Sequence, residues 1–401
     1  VLRRVFKAFQ YRDFRLMWFG ACTSSVGTWM QKVAQSWLVL EISGSALWLG
    51  VDAFLGEIPI FLFSLIGGVV ADRMDRRRVL VGSQVIQMSC AFLLAVLIAL
   101  DAVRIWHILV LSFVVGLAQA FGGPAYQALI PSLVERDDLP NAIALNSIQF
   151  NVARVIGPVL GGIALTQLGA VWCFALNGVS FIAVIITLLL LQVGFIPAKT
   201  METVMTSLKQ GIGFIRKQGT MEALIALAFC MAALALPMIT FLPVFAKEVF
   251  HGTATTFTLF LACSGAGSVT GALIVAALGN IKNKGMVAIL MLIALGIGIT
   301  GFSLSKQLVV SCVLLFITGA CLISVFALVS SLVQLITTNE MRGRVMSVYN
   351  VAFRGGMPFG NLATGYLAPV FSAPAVLVAN GLLLAALGVY FLLVQRRVAA
   401  L

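Results

Sequence analysis

Five ionisable side chains interrupt otherwise apolar stretches of this sequence: Lys32, Asp52, Glu57, Arg154 and Arg354. A charge in such a stretch is costly, and it marks a pathway, a proton relay or a paired interior. An apolar surround favours the protonated form of any carboxyl group unless a cation stands beside it. Glu57 is set deeper in its stretch than Asp52, and two readings stand for it. It alternates between a proton and a cationic partner, Lys32 or Arg354, or it forms a permanent pair with one of them that fixes packing. Asp52 lies five residues before it, about 140° round a helix, so the two acids do not face one partner. Asp52 is expected to be a solvated or helix-starting residue, with proton coupling as the alternative. Arg154 and Arg354 suit either anion binding or the bracing of neighbouring helices through carbonyl oxygens. Trp29, Gln31, Gln35, Gln119, Tyr126, Asn146, Asn151 and Asn350 offer aromatic walls and hydrogen bonds for a largely apolar pocket, or plain inter-helix bonds. The sequence holds no P-loop and no nucleophile elbow, and its two histidines, His107 and His251, are scattered. Neither an enzyme, nor a metal site, nor a cofactor is expected.

The elements that must position these residues follow from composition. Of 401 residues, 61% are apolar and 10% charged, against about a quarter charged in soluble globular proteins. Most of this surface cannot face water, so despite a net charge of +12 the chain is no nucleic-acid reader. A bilayer core needs about 20 apolar residues per helix. Cutting at charged, proline-rich and glycine- or asparagine-rich breaks predicts twelve spans. They run over 14–40, 47–71, 79–100, 104–126, 141–167, 170–193, 222–246, 255–279, 285–304, 308–336, 343–367 and 374–395. The expected fold class is an all-α membrane protein of two six-helix halves, residues 1–193 and 222–401, joined by 194–221. Within that joining segment Val204, Leu208, Ile212 and Ile215 fall at helical spacing, which predicts a short amphipathic surface helix.

Lysine and arginine set the orientation. Twenty lie on segments sharing a side with the N-terminus, among them Arg3, Arg4, Lys199 and Lys282, and three lie opposite: Arg104, Lys247 and Lys306. Both termini are therefore expected in the cytoplasm. A shift of 200 residues brings Arg154 onto Arg354 and Pro158 onto Pro358, in spans 5 and 11, which suggests an internal repeat of the kind transporters use for alternating access.

After span 2 the chain reads GGVVADRMDRRR. Gly68, Asp72, Arg73, Arg76 and Arg77 there resemble the G-x-x-x-D-R-x-x-R-R motif of the major facilitator superfamily. Span 5 carries Gly157, Pro158, Gly161 and Gly162, similar to a motif of that superfamily's proton-linked exporters, although Ala144 and Ala153 replace its earlier glycines. GTWMQKVAQSWLV, DDLPNAIALNSIQFNVARVIGP and RGRVMSVYNVAFRGG resemble the transmembrane secretion effector branch, which includes enterobactin exporters and macrolide efflux proteins. The resemblance spans nearly the whole chain. Val114 and Val115 stand where many drug–proton antiporters have an arginine in span 4, and GNIKNKG keeps a degraded form of the Asp-Arg motif between spans 8 and 9.

The resemblance implies a breakable cytoplasmic gate, with Asp72 capping the N-terminus of span 11. Gly68 is expected to allow close helix approach there, and Arg73, Arg76 and Arg77 to meet carboxylates or anionic lipid. It also implies that spans 3, 6, 9 and 12 are outer supports, so that the five buried charges line a central cavity. Gly157 and Pro158 would permit a bend, and Gly161 and Gly162 close packing. The expected function is proton-driven export of an amphiphilic small molecule by a monomer in the bacterial inner membrane, in contact with membrane lipid. Lipid translocation by the same fold, or a non-transporting scaffold or sensor, are the alternatives. Flux direction is not fixed by sequence.

Overall fold

Twelve helices of twenty residues or more form a computed structural model that describes residues 6–192, 204–278, 283–338 and 340–399. They are α1 Arg12–Ser43, α2 Ala46–Arg73, α3 Arg76–Ala99, α4 Ile105–Leu129, α5 Leu139–Gln167 and α6 Ala170–Leu189. The series continues with α7 Gly219–Thr240, α8 Ala254–Leu278, α9 Lys284–Leu304, α10 Leu308–Ile336, α11 Arg342–Phe371 and α12 Ala373–Leu393. Among the described residues there is no strand. Ten of these helices are long and apolar enough to cross a membrane, which makes the chain a multi-pass membrane protein. The other two, α1 and α11, have the length but are too polar. They carry Gln31, Lys32 and Gln35, and Arg342, Arg344, Asn350 and Arg354. Residues 193–203, the loop 279–282, and Arg3, Arg4, Lys199 and Lys282 lie outside the described residues.

Tight connections define the helix ends. Gly44 (φ 61°) separates α1 from α2 and Gly169 (φ 90°) separates α5 from α6, both in the left-handed region that side chains with a Cβ rarely adopt. Asp75 begins α3 as its N-cap, accepting from the Arg77 backbone N–H at 3.0 Å. The helical run of α7 continues as Leu242–Val244 and a π turn, Phe245–Val249, next to Pro237 and Pro243. By contrast α5 continues through Pro158 without a break.

The chain forms two compact units, Val1–Ser43 with Leu55–Met201, and Gly44–Phe54 with Glu202–Leu401. In the first, α1 packs on α5 and α6, and α3 on α4 and α6. In the second the same pairs recur six helices later: α7 on α11, α9 on α10 and α9 on α12. Lipid supplies no hydrophobic drive between helices, so close backbone approach through small residues holds them together. A Cβ at Gly67 of α2 would strike the Ala120 carbonyl of α4, and one at Gly267 of α8 would strike the Phe316 carbonyl of α10. In the second unit the first turns of α2 lie on α11, where a Cβ at Gly50 would meet Gly365 Cα at 2.8 Å and the Asn361 carbonyl at 2.6 Å.

The amphipathic segment is a helix, Val204–Arg216, packed on α11. Its inward face is Leu208, Gly211 and Ile215, whereas Ile212 is 40% exposed. Gly211, one residue away, takes the contact with α11. A Cβ there would sit 2.9 Å from the Arg344 carbonyl.

One anchor escaped the sequence reading. Asp138 is only 4% exposed and collects the Lys7 ammonium at 2.7 Å, the Gln10 amide at 2.9 Å and the Tyr11 hydroxyl at 2.9 Å. Asn141 accepts from the Ala8 N–H at 2.9 Å, and the Trp18 indole donates to the Leu145 carbonyl at 2.9 Å. The 3-10 turn Lys7–Gln10 is thereby tied to the start of α5. The hydrogen bond from Lys7 to Asp138, then their Coulomb attraction, raises the Lys7 pKa above its usual 10.5. A raised folded pKa contributes stability that is complete below the unfolded value and is lost as pH rises through the folded one. Thermal midpoints followed from neutral to strongly alkaline pH should fall for wild type above pH 10.5, and Lys7→Gln should lack that component. A parallel fall in both would remove the Lys7 contribution.

The glycine crossing gives a second expectation. Gly67→Ala must displace backbone and should cost about 1–3 kcal/mol, lowering the thermal midpoint, whereas Gly68→Ala should melt as wild type does.

Candidate functional site

The seam between α1 and α5 carries Lys32 and Arg154, with Glu57 of α2 beside Lys32. A Cβ at Gly157 would collide with Trp29 Cβ and lie 2.9 Å from the Val26 carbonyl. One at Gly161 would lie 2.9 Å from both Met30 Cα and its carbonyl oxygen. The glycines of the span-5 motif are therefore the contact surface for α1, and Pro158 and Gly162 are buried with them. This approach fixes Trp29, whose ring meets Phe150 edge-on at 6.3 Å and 71°. The Lys32 ammonium sits 5.1 Å from the centre of the same ring, a cation–π contact worth about 0.5–1 kcal/mol where solvent reaches it.

Lys32 also faces Glu57, Nζ to Oε1 at 3.9 Å. The side chains are 56% and 18% exposed, so the carboxylate is the more buried partner and the ammonium is wet. At that length and exposure the attraction is weak and breakable. Of the two cations open to Glu57 in the sequence, Lys32 is the one seen beside it in the first unit.

Asp52 departs from expectation. It is 8% exposed and neither solvated nor at a helix start, because α2 packs there on α11 through Gly50. Arg154 is half-buried and, among the described residues, makes no hydrogen bond or ion pair. It braces nothing. Arg354 is exposed on α11.

Most of the polar candidates bond within the bundle. Gln31 accepts from the Asn177 amide of α6 at 2.6 Å, so it faces a helix expected to be a mere support. Gln35 donates to Ser112 of α4 at 2.8 Å. Tyr126 donates to Asn146 at 2.5 Å, joining α4 to α5, and Asn151 donates to the Ser147 carbonyl of its own helix at 2.8 Å. Gln119 and Asn350 are exposed and, among the described residues, unbonded. Asn177, 2% exposed, was missed because α6 reads as uniformly apolar around it.

The arginines of the α2–α3 loop are committed to backbone. Arg76 donates to the Ala128 carbonyl at 3.0 Å and the Ala71 carbonyl at 3.2 Å, and meets Asp72 at 4.0 Å. Arg77 forks onto the carbonyls of Leu189 at 2.6 Å and Leu191 at 2.9 Å. These carbonyls lie at or just past the C-terminal ends of α2, α4 and α6, where helical partners are lacking and cations are attracted. Carboxylates and lipid were the partners expected from sequence. Arg73 alone of the motif's arginines is exposed without a bond among the described residues. Gly68 does not provide the close approach. Among the described residues a Cβ there would meet no atom within 4 Å, and Gly67, about 100° away round the helix, provides it instead.

The second unit holds a cleft of about 180 Å³ between α7, α11 and α12, lined by Phe229, Ala233, Phe359, Thr364 and Asn380 among others. It is smaller than the roughly 300–1,000 Å³ of ligand pockets.

Comparison with known proteins agrees with this architecture. The Tap multidrug efflux pump of Mycolicibacterium fortuitum is 26% identical over 395 residues, 95% of each chain. The staphyloferrin A transporter of Staphylococcus aureus is 26% identical over 363 residues, 86% of this chain and 87% of that one. An enterobactin exporter of Escherichia coli is 24% identical over 389 residues, 95% of this chain and 91% of that one. In fold, the chain matches an inward-facing, unoccupied bacterial homologue of the human lysosomal transporter Spinster with a TM-score of 0.74 at 14% identity, over 96% of both chains. It matches the nucleoside transporter NupG with a TM-score of 0.73 at 14% identity, over 95% of this chain and 98% of that one. The transmembrane secretion effector model matches residues 4–400, and the chain belongs to that family of major facilitator transporters.

Proposed function

We propose that this protein is a proton-coupled exporter of amphiphilic small molecules in the bacterial inner membrane. It works by alternating access of two six-helix halves with both termini in the cytoplasm. It acts as a monomer surrounded by membrane lipid, with the proton gradient as its energy source and no nucleic-acid partner. Membership of a family with drug and siderophore exporters supports the direction and the substrate class. The observation that carries the coupling is Lys32, shared between the Glu57 carboxylate and the face of Trp29.

The sharing gives a mechanism by competition. With Glu57 ionised, Lys32 is held by the carboxylate, and the Trp29 ring is free to receive the apolar body of a substrate. Protonation of Glu57 removes that attraction, and Lys32 moves over the ring and expels what lies there. Proton and substrate therefore exclude one another, as exchange in opposite directions requires. Asp52, buried with α11, is the second candidate for proton exchange. Asp72 and Arg73 at the α2–α3 loop act in the cytoplasmic gate, held by the arginine clasps of Arg76 and Arg77.

Energised everted vesicles test this with a panel of lipophilic drugs, catechol siderophores and lysolipids. A transported compound should collapse the pH gradient in wild type and fail to do so in Glu57→Gln. Equal collapse in both would make Glu57 a structural charge.

A further inference from the structure

Arg154 is the one seam charge that the coupling scheme leaves without a task. At 100° per residue, Phe150, Arg154, Gly157 and Gly161 fall within about 60° of one another round α5. Phe150 meets the Trp29 ring, and Gly157 and Gly161 touch the α1 backbone. Arg154 therefore leaves α5 from the stripe that faces α1. It is half-buried, and its guanidinium makes no hydrogen bond or ion pair among the described residues. Lys32, the other cation of the seam, has Glu57 at 3.9 Å and the Trp29 ring at 5.1 Å. The Arg154 nitrogens are not among the buried side-chain atoms that lack a partner, so they stay open to solvent and to a ligand. An oxyanion on the substrate can take the place of that water, because the planar guanidinium fork matches carboxylate, sulfonate and phosphate geometry.

Resting on the exporter reading above, we infer that the binding region selects amphiphiles carrying an oxyanion, with Arg154 binding the anionic group and Trp29 and Phe150 receiving the apolar body. The selectivity is a property of Arg154 and is separable from the proton exchange at Glu57.

Two fluorescent probes sharing one ring skeleton isolate the charge: 1-anilinonaphthalene-8-sulfonate and its neutral twin, N-phenyl-1-naphthylamine. Binding is measured to the full chain in nanodiscs, with empty nanodiscs as background. Wild type should hold the sulfonate about tenfold or more tighter than the twin, the scale of a hydrogen-bonded charge. Arg154→Gln should abolish that preference and leave the twin's affinity unchanged. Arg154→Lys, measured beside it to guard against misfolding of the glutamine variant, should keep part of the preference. Thermal midpoints confirm that each variant is folded. Equal affinity of wild type for both probes, binding of neither, or equal weakening of both by Arg154→Gln overturns the inference. Selectivity without proton flux in the vesicle assay would refute the exporter reading and leave Arg154 as an anion site. Flux dependent on Glu57 with no role for Arg154 would do the reverse.

Discussion

The backbone contact of α5 on α1 is the constraint on which the site depends. With no side chain at Gly157 and Gly161, the two helices close until Trp29 and Met30 touch the α5 main chain. That approach sets the position of the Trp29 ring, the ring takes Lys32, and Lys32 reaches Glu57 on α2. The second unit repeats the device, with Gly356 and Gly360 of α11 against Ala232 and Ala233 of α7. Van der Waals contact between small residues is the main attraction open to helices in lipid. Within each unit the glycine contacts set the frame on which the charges of the site sit.

Two sets of charged contacts in the first unit differ in kind. Those of Arg76 and Arg77 run to carbonyls at or just past the ends of α2, α4 and α6 at 2.6–3.2 Å, where acceptors lack helical partners. The Lys32–Glu57 contact is longer, one-sided in its burial, and shared with an aromatic face. The second kind is the one that the proposed mechanism asks to break, with a proton on Glu57 leaving the ammonium to the ring.

Much of this was legible in the sequence. The span limits emerge from apolar run length, and the polarity of α1 and α11 marks them as helices that do not simply face lipid. Pairing of Glu57 with Lys32 was one of two options that depth alone allowed. Helical phase was harder to read. One residue turns the chain by about 100°, so Gly67 rather than Gly68 takes the crossing, and Gly211 rather than Ile212 faces α11. Gln31 looked like a cavity residue until its partner Asn177, some 146 positions away, came into view. Asp138 looked like one more loop carboxylate, since its burial depends on Lys7, Gln10 and Tyr11 folding back onto it. Local pattern carries phase and distant partners poorly, and these cases all turn on one or the other.

The central claim is that Glu57 exchanges its proton as substrate comes and goes. Infrared difference spectroscopy of the membrane-embedded chain reads that proton through the carbonyl stretch of the neutral carboxyl group. The account predicts a band that grows on acidification, shrinks when a transported substrate is added, and is missing from Glu57→Gln. Wild-type spectra indistinguishable from those of Glu57→Gln, at every pH and with substrate present, would contradict it.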